Sequence, residues 1–456
     1  MYDGAGIQVA ILGKGGATMS SQETLELLLT GLAVRRMNAP RPPWWGKLLR
    51  KFLAKAFWAV GHTVFDVKVR GLEHVENEPG TVVVSNHKSD WDIILLSPAL
   101  YRAARGEGPF GNLSFVAAER MFEPGYFSTD LIKRPLWLSR ALHQVNLSAV
   151  LNALHAYPIP QAHVRKLRAY LWDLLEMEGN LPLEQVVRPA PQRLLPGLPV
   201  GARIKDALRW RYRRELDLEY DFSIFPPTLE RQLRERHIHR ALACLGRFAA
   251  VLDEGDAVFF APEGGLSLDG AFKEIKAGLH RVVRSARRPV TLLPVNLTYD
   301  LMTLGRQRVF LSIGPPLRGI AEREALKSET KQAIMSLSTA TLGQLASHAL
   351  QTLASQGRDA VEAHALTAQL QAQARELAGR GVHVDGRLLE SRPFLYRWQA
   401  FVAYCEREGL LKNEGEWLRF DPRRVLNETG DNRRRAPSWI YSANEFDALI
   451  QSSSAA

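Results

Sequence analysis

Cysteine is scarce in this chain: Cys244 and Cys405 are its 2 cysteines in 456 residues. They are far apart and outside any CxxC spacing, which excludes a disulfide framework and a cysteine-rich zinc site and fits a reducing compartment. Long apolar runs are missing too. No stretch of about 18 residues is apolar enough to span a bilayer, and the longest uncharged tract, residues 141–164, is broken by His, Asn, Gln and Pro. The opening residues carry Gly and polar side chains where a secretory leader needs a charged end and an apolar run. There is no GxxxxGK[ST], no HExxH and no GxSxG elbow, the nearest miss being Gly265-Leu266-Ser267-Leu268-Asp269. A cytoplasmic protein is expected, and any work on lipid would be done from the membrane surface.

Charge is present in excess of one sign. The 59 Lys and Arg outnumber the 48 Asp and Glu, for a formal charge of +11 and a pI near 9.7. Such a balance implies an anionic partner: nucleic acid, an acidic bilayer face or a phosphorylated substrate. A hydrophobic content of 46% marks a folded chain, long enough for one large domain and a second piece.

Residues 1–43 read as a flexible lead, Gly-rich at first and ending in Pro40, Pro42 and Pro43. From Trp44 to Val60 the pattern is a basic amphipathic helix. Leu48, Leu49, Phe52, Leu53, Ala56, Phe57 and Val60 share one arc, and Lys47, Arg50, Lys51 and Lys55 share the other. Two tryptophans at its entrance suit a helix lying in a lipid interface, although a helix packed on its own domain would show the same spacing. Candidate strands follow at 65–69, 81–85, 113–117, 257–260, 290–295 and 309–313, alternating with helical stretches. Continuous apolar strands between helices predict an α/β fold, a mixed, mostly buried sheet with helices on both faces. Residues 165–238 interrupt this rhythm as an insertion. There, Arg209, Arg211, Arg213 and Arg214 interleave with acidic residues, as on a solvated face. The predicted domain runs over 64–318, and 319–456 form a mainly helical extension with a short strand at 417–420.

Two strand-to-turn blocks carry candidate chemistry. In Val84-Ser85-Asn86-His87-Lys88-Ser89-Asp90-Trp91-Asp92, a buried strand ends just before His87 and a helix begins near Asp90. Such turns are where α/β sheets present reactive groups. An imidazole suits proton abstraction at neutral pH, and a carboxylate five residues on could hold its tautomer. The same carboxylate could instead satisfy main-chain amides, since Ser89-Asp90-Trp91-Asp92 has a capping-box pattern. In the second block, Phe260-Ala261-Pro262-Glu263-Gly264-Gly265, glycines would let backbone N–H groups approach an anion, with Lys273 and Lys276 downstream on a helix expected over 273–285. A third block, 290–300, is a buried strand whose Pro294 suggests an edge or a bulge.

The order N-H-x4-D, then strand-P-E-G, then a strand ending in L-P-V resembles the glycerolipid acyltransferases, which acylate glycerol 3-phosphate or 1-acylglycerol 3-phosphate. The resemblance covers roughly residues 64–318 without the insertion. It implies His87 and Asp92 as the catalytic pair and Pro262, Glu263, Gly264, Gly265 and Lys273 on the acceptor side. Leu266 stands where a phosphate-binding arginine is expected, and the 156–161 block ends in Gln161, leaving Arg165 as the nearest substitute. Acyl-CoA or acyl-carrier protein would be the co-substrate, with no cofactor and no metal. The partners implied are a membrane surface through residues 44–60, an acyl donor and a phosphorylated glycerol acceptor. That places the protein peripherally on the inner face of the membrane. Two readings remain as alternatives: a silent lipid-surface protein of the same fold, and a basic nucleic-acid binder, prompted by the charge and by a helix-plus-strand tail that can look like a winged helix. Arg433, Arg434 and Arg435 are the tail's only basic run.

Overall fold

The computed structural model describes residues 45–122, 126, 135–143, 145, 148–159, 165–427 and 436–454. The expected lead at 1–43 and the arginine run at 433–435 lie outside them. Two compact units emerge, one formed by residues 117–152 and 157–246 and the other by 37–116, 153–156 and 247–456.

The larger unit is built on a mixed sheet. Its elements begin with helix α1 (Trp45–Val64), strands β1 (Phe65–Arg70) and β2 (Thr81–Ser85), and helix α2 (Asp92–Ala103). Strands β3 (Ser114–Ala118) and β5 (Val258–Phe260), helix α3 (Ala277–Ser285), and strands β6 (Thr291–Tyr299) and β7 (Gln307–Ile313) follow, and β4 (Ala156–Ile159), most of which is counted with the smaller unit, ends the sheet. The strand order is β1-β7-β6-β2-β5-β3-β4. β2 runs parallel to both β6 and β5, and β6 pairs with β7 antiparallel. Every residue of β2 and of β6 is buried, which is why these strands read as unbroken apolar runs rather than alternating ones. Phe65, Val83, Leu95, Leu96, Leu100, Phe259, Leu293, Leu297 and Leu311 pack together between the sheet and α2.

Two local expectations are corrected. Strand β6 extends to Tyr299; Pro294 faces Val84 of β2 and on its other side lies at a break in register, Leu292 pairing with Leu317 but Val295 with Ile313, as expected of a bulge position. The antiparallel ladder with β7 begins only at Val295, so on that side Pro294 needs no donor, and its carbonyl accepts from Gly314 N–H at 2.9 Å. The helix expected from residue 273 starts at Ala277, because the preceding residues are a loop whose amides are used elsewhere.

Residues 319–456 do not form a separate body; they belong to the same compact unit as the sheet. They comprise α4 (Arg323–Ser336), α5 (Leu342–Ser355), β8 (Ala360–Glu362), α6 (Ala363–Gly379), α7 (Ser391–Arg407), β9 (Leu411–Glu414), β10 (Trp417–Phe420) and α8 (Ser438–Ser454). The order from α5 to β10, with sheet order β8-β10-β9, is the connectivity of a winged helix. Yet Arg392 shares the exposed start of α7 with Leu395, Tyr396 and Gln399. At the start of this helix the exposed face is mixed rather than basic.

The smaller unit contains the insertion and extends beyond it. Its core gathers Tyr170, Leu171, Leu174, Leu183, Leu216, Phe222 and Phe225.

Candidate active site

Adjacent parallel strands deliver the two chemical turns to the same place. Val84 of β2 lies opposite Phe260 of β5, and His87 and Glu263 each follow three residues later, past the carboxyl ends where parallel strands present functional groups. The His87 turn is locked on its other side by Asn86. Its side-chain amide donates to Leu297 O at 3.0 Å and its oxygen accepts from Leu297 N–H at 2.9 Å, extending the β2–β6 ladder with a side chain.

The Glu263 turn grips the main chain of His87 from both polar groups. The His87 N–H donates to Glu263 Oε1 at 3.3 Å, and the Lys273 N–H donates to Glu263 Oε2 at 2.8 Å. The His87 carbonyl accepts from Ser267 N–H at 2.7 Å. Burial pushes the Glu263 carboxyl above its ordinary value, and its two backbone donors pull the other way. Pro262 O accepts from Lys276 N–H at 2.8 Å, and Gly264, at φ +74°, turns its N–H onto Ala261 O. Gly264 is thus a turn former whose backbone a side chain would strain. Gly265 is exposed with open space around its α-carbon. The Lys273 ammonium donates to Leu266 O at 3.3 Å.

Asp92 opens α2 and is fully buried. Its Oδ2 accepts from His87 Nδ1 at 2.9 Å and from the amides of Lys88 at 2.7 Å and Ser89 at 3.0 Å. The two roles left open by the sequence are therefore filled together: one oxygen serves the imidazole and the turn's amides. The other oxygen, Oδ1, accepts from the Tyr299 hydroxyl at 2.6 Å, and burial and the Asp92 charge hold that phenol well above its usual range. Since a carboxylate can only accept, Nδ1 carries the proton and Nε2 is the basic nitrogen. The His87 side chain keeps 27% of its surface exposed while Asp92 keeps none, so the pair has a buried anchor and an accessible tip.

Sequence reasoning missed Tyr299, Ser267 and Asn86 as parts of this site. Tyr299 stood in the third block, but nothing in its spacing says that its hydroxyl meets Asp92. Arg165, the nearest substitute for a phosphate-binding arginine in the sequence, is engaged with carboxylates of its own unit. It lies in the smaller unit, 6% exposed, its guanidinium 3.0 Å from Glu119 and 2.6 Å from Asp173. It shares both carboxylates with Arg240, at 2.9 and 2.6 Å. Gln161 falls outside the described residues. Among the described residues, no group of three His, Cys, Asp or Glu side chains could hold a metal ion.

Residues 66–135, the segment carrying His87 and Asp92, match the model of the Acyltransferase family. Among solved structures, this chain is similar to the 1-acyl-sn-glycerophosphate (LPA) acyltransferase PlsC from Thermotoga maritima, at 17% identity and a TM-score of 0.33. That likeness covers 63% of this chain and 78% of the other. No curated protein matches the chain.

Proposed function

We propose that the protein transfers a fatty acyl group from a thioester, acyl-CoA or acyl-carrier protein, to a hydroxyl of glycerol 3-phosphate or a lysophospholipid, working from a membrane surface. The observation that carries this reading is the hydrogen bond from His87 Nδ1 to the buried Asp92 carboxylate, in a segment that matches an acyltransferase model. In the proposed reaction the acceptor hydroxyl donates to His87 Nε2. As its oxygen attacks the thioester carbonyl, the imidazole takes the proton and Asp92 stabilises the imidazolium. The tetrahedral intermediate collapses, the C–S bond breaks, and the thiolate leaves with the proton that His87 returns. General base catalysis of this kind is worth about 10²–10⁴-fold.

Membrane attachment through α1 belongs to the same proposal. Trp45, Leu48, Phe52 and Val60 are exposed on this helix next to the exposed Lys47, Lys51 and Lys55. The apolar arc is thus only partly used by the core, and the remainder suits insertion beneath anionic headgroups. No described helix is long and apolar enough to cross a membrane.

The test is a panel of acceptors (glycerol 3-phosphate, lysophosphatidate, other lysophospholipids and neutral glycerolipids) offered with a labelled acyl thioester to the wild type and His87→Ala. Transfer to a phosphorylated acceptor that falls by about 10² or more in the variant, with an unchanged melting temperature, supports the reading. Near-normal transfer by His87→Ala overturns it.

A further inference from the structure

We propose that the C-terminal helix α8 completes the active site, with Glu445 as the positioning residue that holds the His87 turn through Lys88. This rests on the acyl-transfer reading above.

Lys88 is fixed at both ends. Its amide donates to Asp92 Oδ2 at 2.7 Å, and its ammonium pairs with Glu445. Both side chains are nearly inaccessible, Lys88 at 8% and Glu445 at 5%. The second oxygen of Glu445 accepts from Gln344 Nε2 at 3.1 Å. Gln344 is itself held by a reciprocal cap with Thr341 at the start of α5, through contacts of 3.0 and 3.4 Å. The cation beside the general base is therefore tied to two helices from the far end of the chain.

The same helix also holds the opposite loop. Asn444 Nδ2 donates to Asp269 O at 2.8 Å, and just before the helix Ala436 N–H donates to Leu268 O at 2.8 Å. Gly270, at φ +90°, lets the backbone of Tyr441 approach so closely that a β-carbon there would lie 2.1 Å from the Tyr441 carbonyl oxygen. Residues 263–270 grip the main chain of His87, and α8 grips residues 268–270. Both turns of the site are thus braced by one element, some 350 residues downstream of the base.

A buried ion pair can be merely structural, and an apolar pair often packs as well or better. What gives this one a catalytic consequence is its position, on the residue next to His87 whose amide donates to the Asp92 carboxylate. The charged and titratable groups around the turn include Asp90 within it, Asp92 with Tyr299 behind it and Tyr441 of α8 acting on that phenol, Glu263, Lys273, Lys88 and Glu445. In a variant of either member of the ion pair the groups outside the pair are unchanged, so changes in pH dependence report the pair.

The experiment compares Glu445→Gln and Lys88→Met with the wild type in the full-length protein, using the acceptor identified by the panel. Both variants should lower kcat, on the order of 10–10²-fold for a base displaced by up to about an ångström, with KM within threefold. The acid limb of the kcat/KM profile should move in opposite directions. Glu445→Gln leaves an uncompensated cation that disfavours an imidazolium and shifts the limb to lower pH. Lys88→Met leaves an uncompensated anion and shifts it to higher pH. A loss confined to KM, or an acid limb that stays at the wild-type pH in both variants, overturns the proposal. An active His87→Ala would overturn the acyl-transfer reading instead, whereas a dead His87→Ala beside wild-type kcat in both pair variants sinks only this inference.

Discussion

Replacing Glu263 by glutamine changes one atom and should nevertheless disable the site. Two backbone donors, the amides of His87 and Lys273, aim at the two carboxylate oxygens at 3.3 and 2.8 Å. A glutamine offers one acceptor and one NH2 group. If its oxygen keeps the shorter bond to Lys273, the NH2 group confronts the His87 N–H, donor against donor. The loss is then one charge-assisted bond, about 1.5–3 kcal/mol, and a weaker neutral bond in place of the other. Removing a buried charge returns part of this, since burial already pushes the Glu263 carboxyl upward. A net destabilisation of about 1–3 kcal/mol remains, which lowers the melting temperature by roughly 1–3 °C in a protein of this size. The catalytic effect should exceed the stability effect, because the displaced group is the peptide that carries the base. We expect kcat/KM to fall roughly 10–10²-fold at temperatures where the variant is folded. Calorimetry and initial-rate kinetics on Glu263→Gln check this. An unchanged melting temperature together with kcat/KM within twofold would refute the bridging role.

Two further outcomes can be measured. Leu48→Ser and Phe52→Ser should weaken co-sedimentation with phosphatidylglycerol vesicles by tenfold or more, each side chain being worth about 1.5–3 kcal/mol when buried. Because these residues are 63% and 66% exposed, the melting temperature in free solution should barely move; unaltered vesicle binding would remove α1 as the attachment. His155 is held neutral, its pKa lowered to about 4 by burial and then by the nearby Arg50 cation. A depressed histidine contributes stability that is complete above its unfolded value near 6.5 and is lost as pH falls toward 4. From pH 7.5 to 5 the wild type should therefore lose roughly 1–2 kcal/mol at this position. His155→Asn, chosen because asparagine tolerates the positive φ of 59° found there, should lose none of it. Urea unfolding at both pH values should show the gap between the two proteins narrowing on acidification, and a constant gap would rule the histidine out as the acid-labile group.

Much of the frame was legible because burial leaves a one-dimensional trace. A strand covered on both faces is mostly apolar, so β2 and β5 announced themselves as short unbroken runs, whereas β1, at the sheet edge, reads as an alternation of apolar and charged residues. The arc of leucines and phenylalanines likewise announced α1. His87, Asp92 and Glu263 could be singled out because reactive groups follow strand ends, a rule about local order along the chain. Only the folded chain decided what depends on contacts between distant residues. One oxygen of Asp92 serves the imidazole and two amides at once, while Tyr299, 207 residues away, takes the other. Arg165 and Arg240, 75 residues apart in the sequence, share Glu119 and Asp173. The C-terminal segment, which composition set apart as an extension, packs in the same unit as the sheet and places Glu445 against Lys88. Hydrophobic pattern is a property of each segment and survives in sequence. Hydrogen-bond partnership between distant residues is a property of pairs, and spacing along the chain does not encode which far side chain will meet which carboxylate.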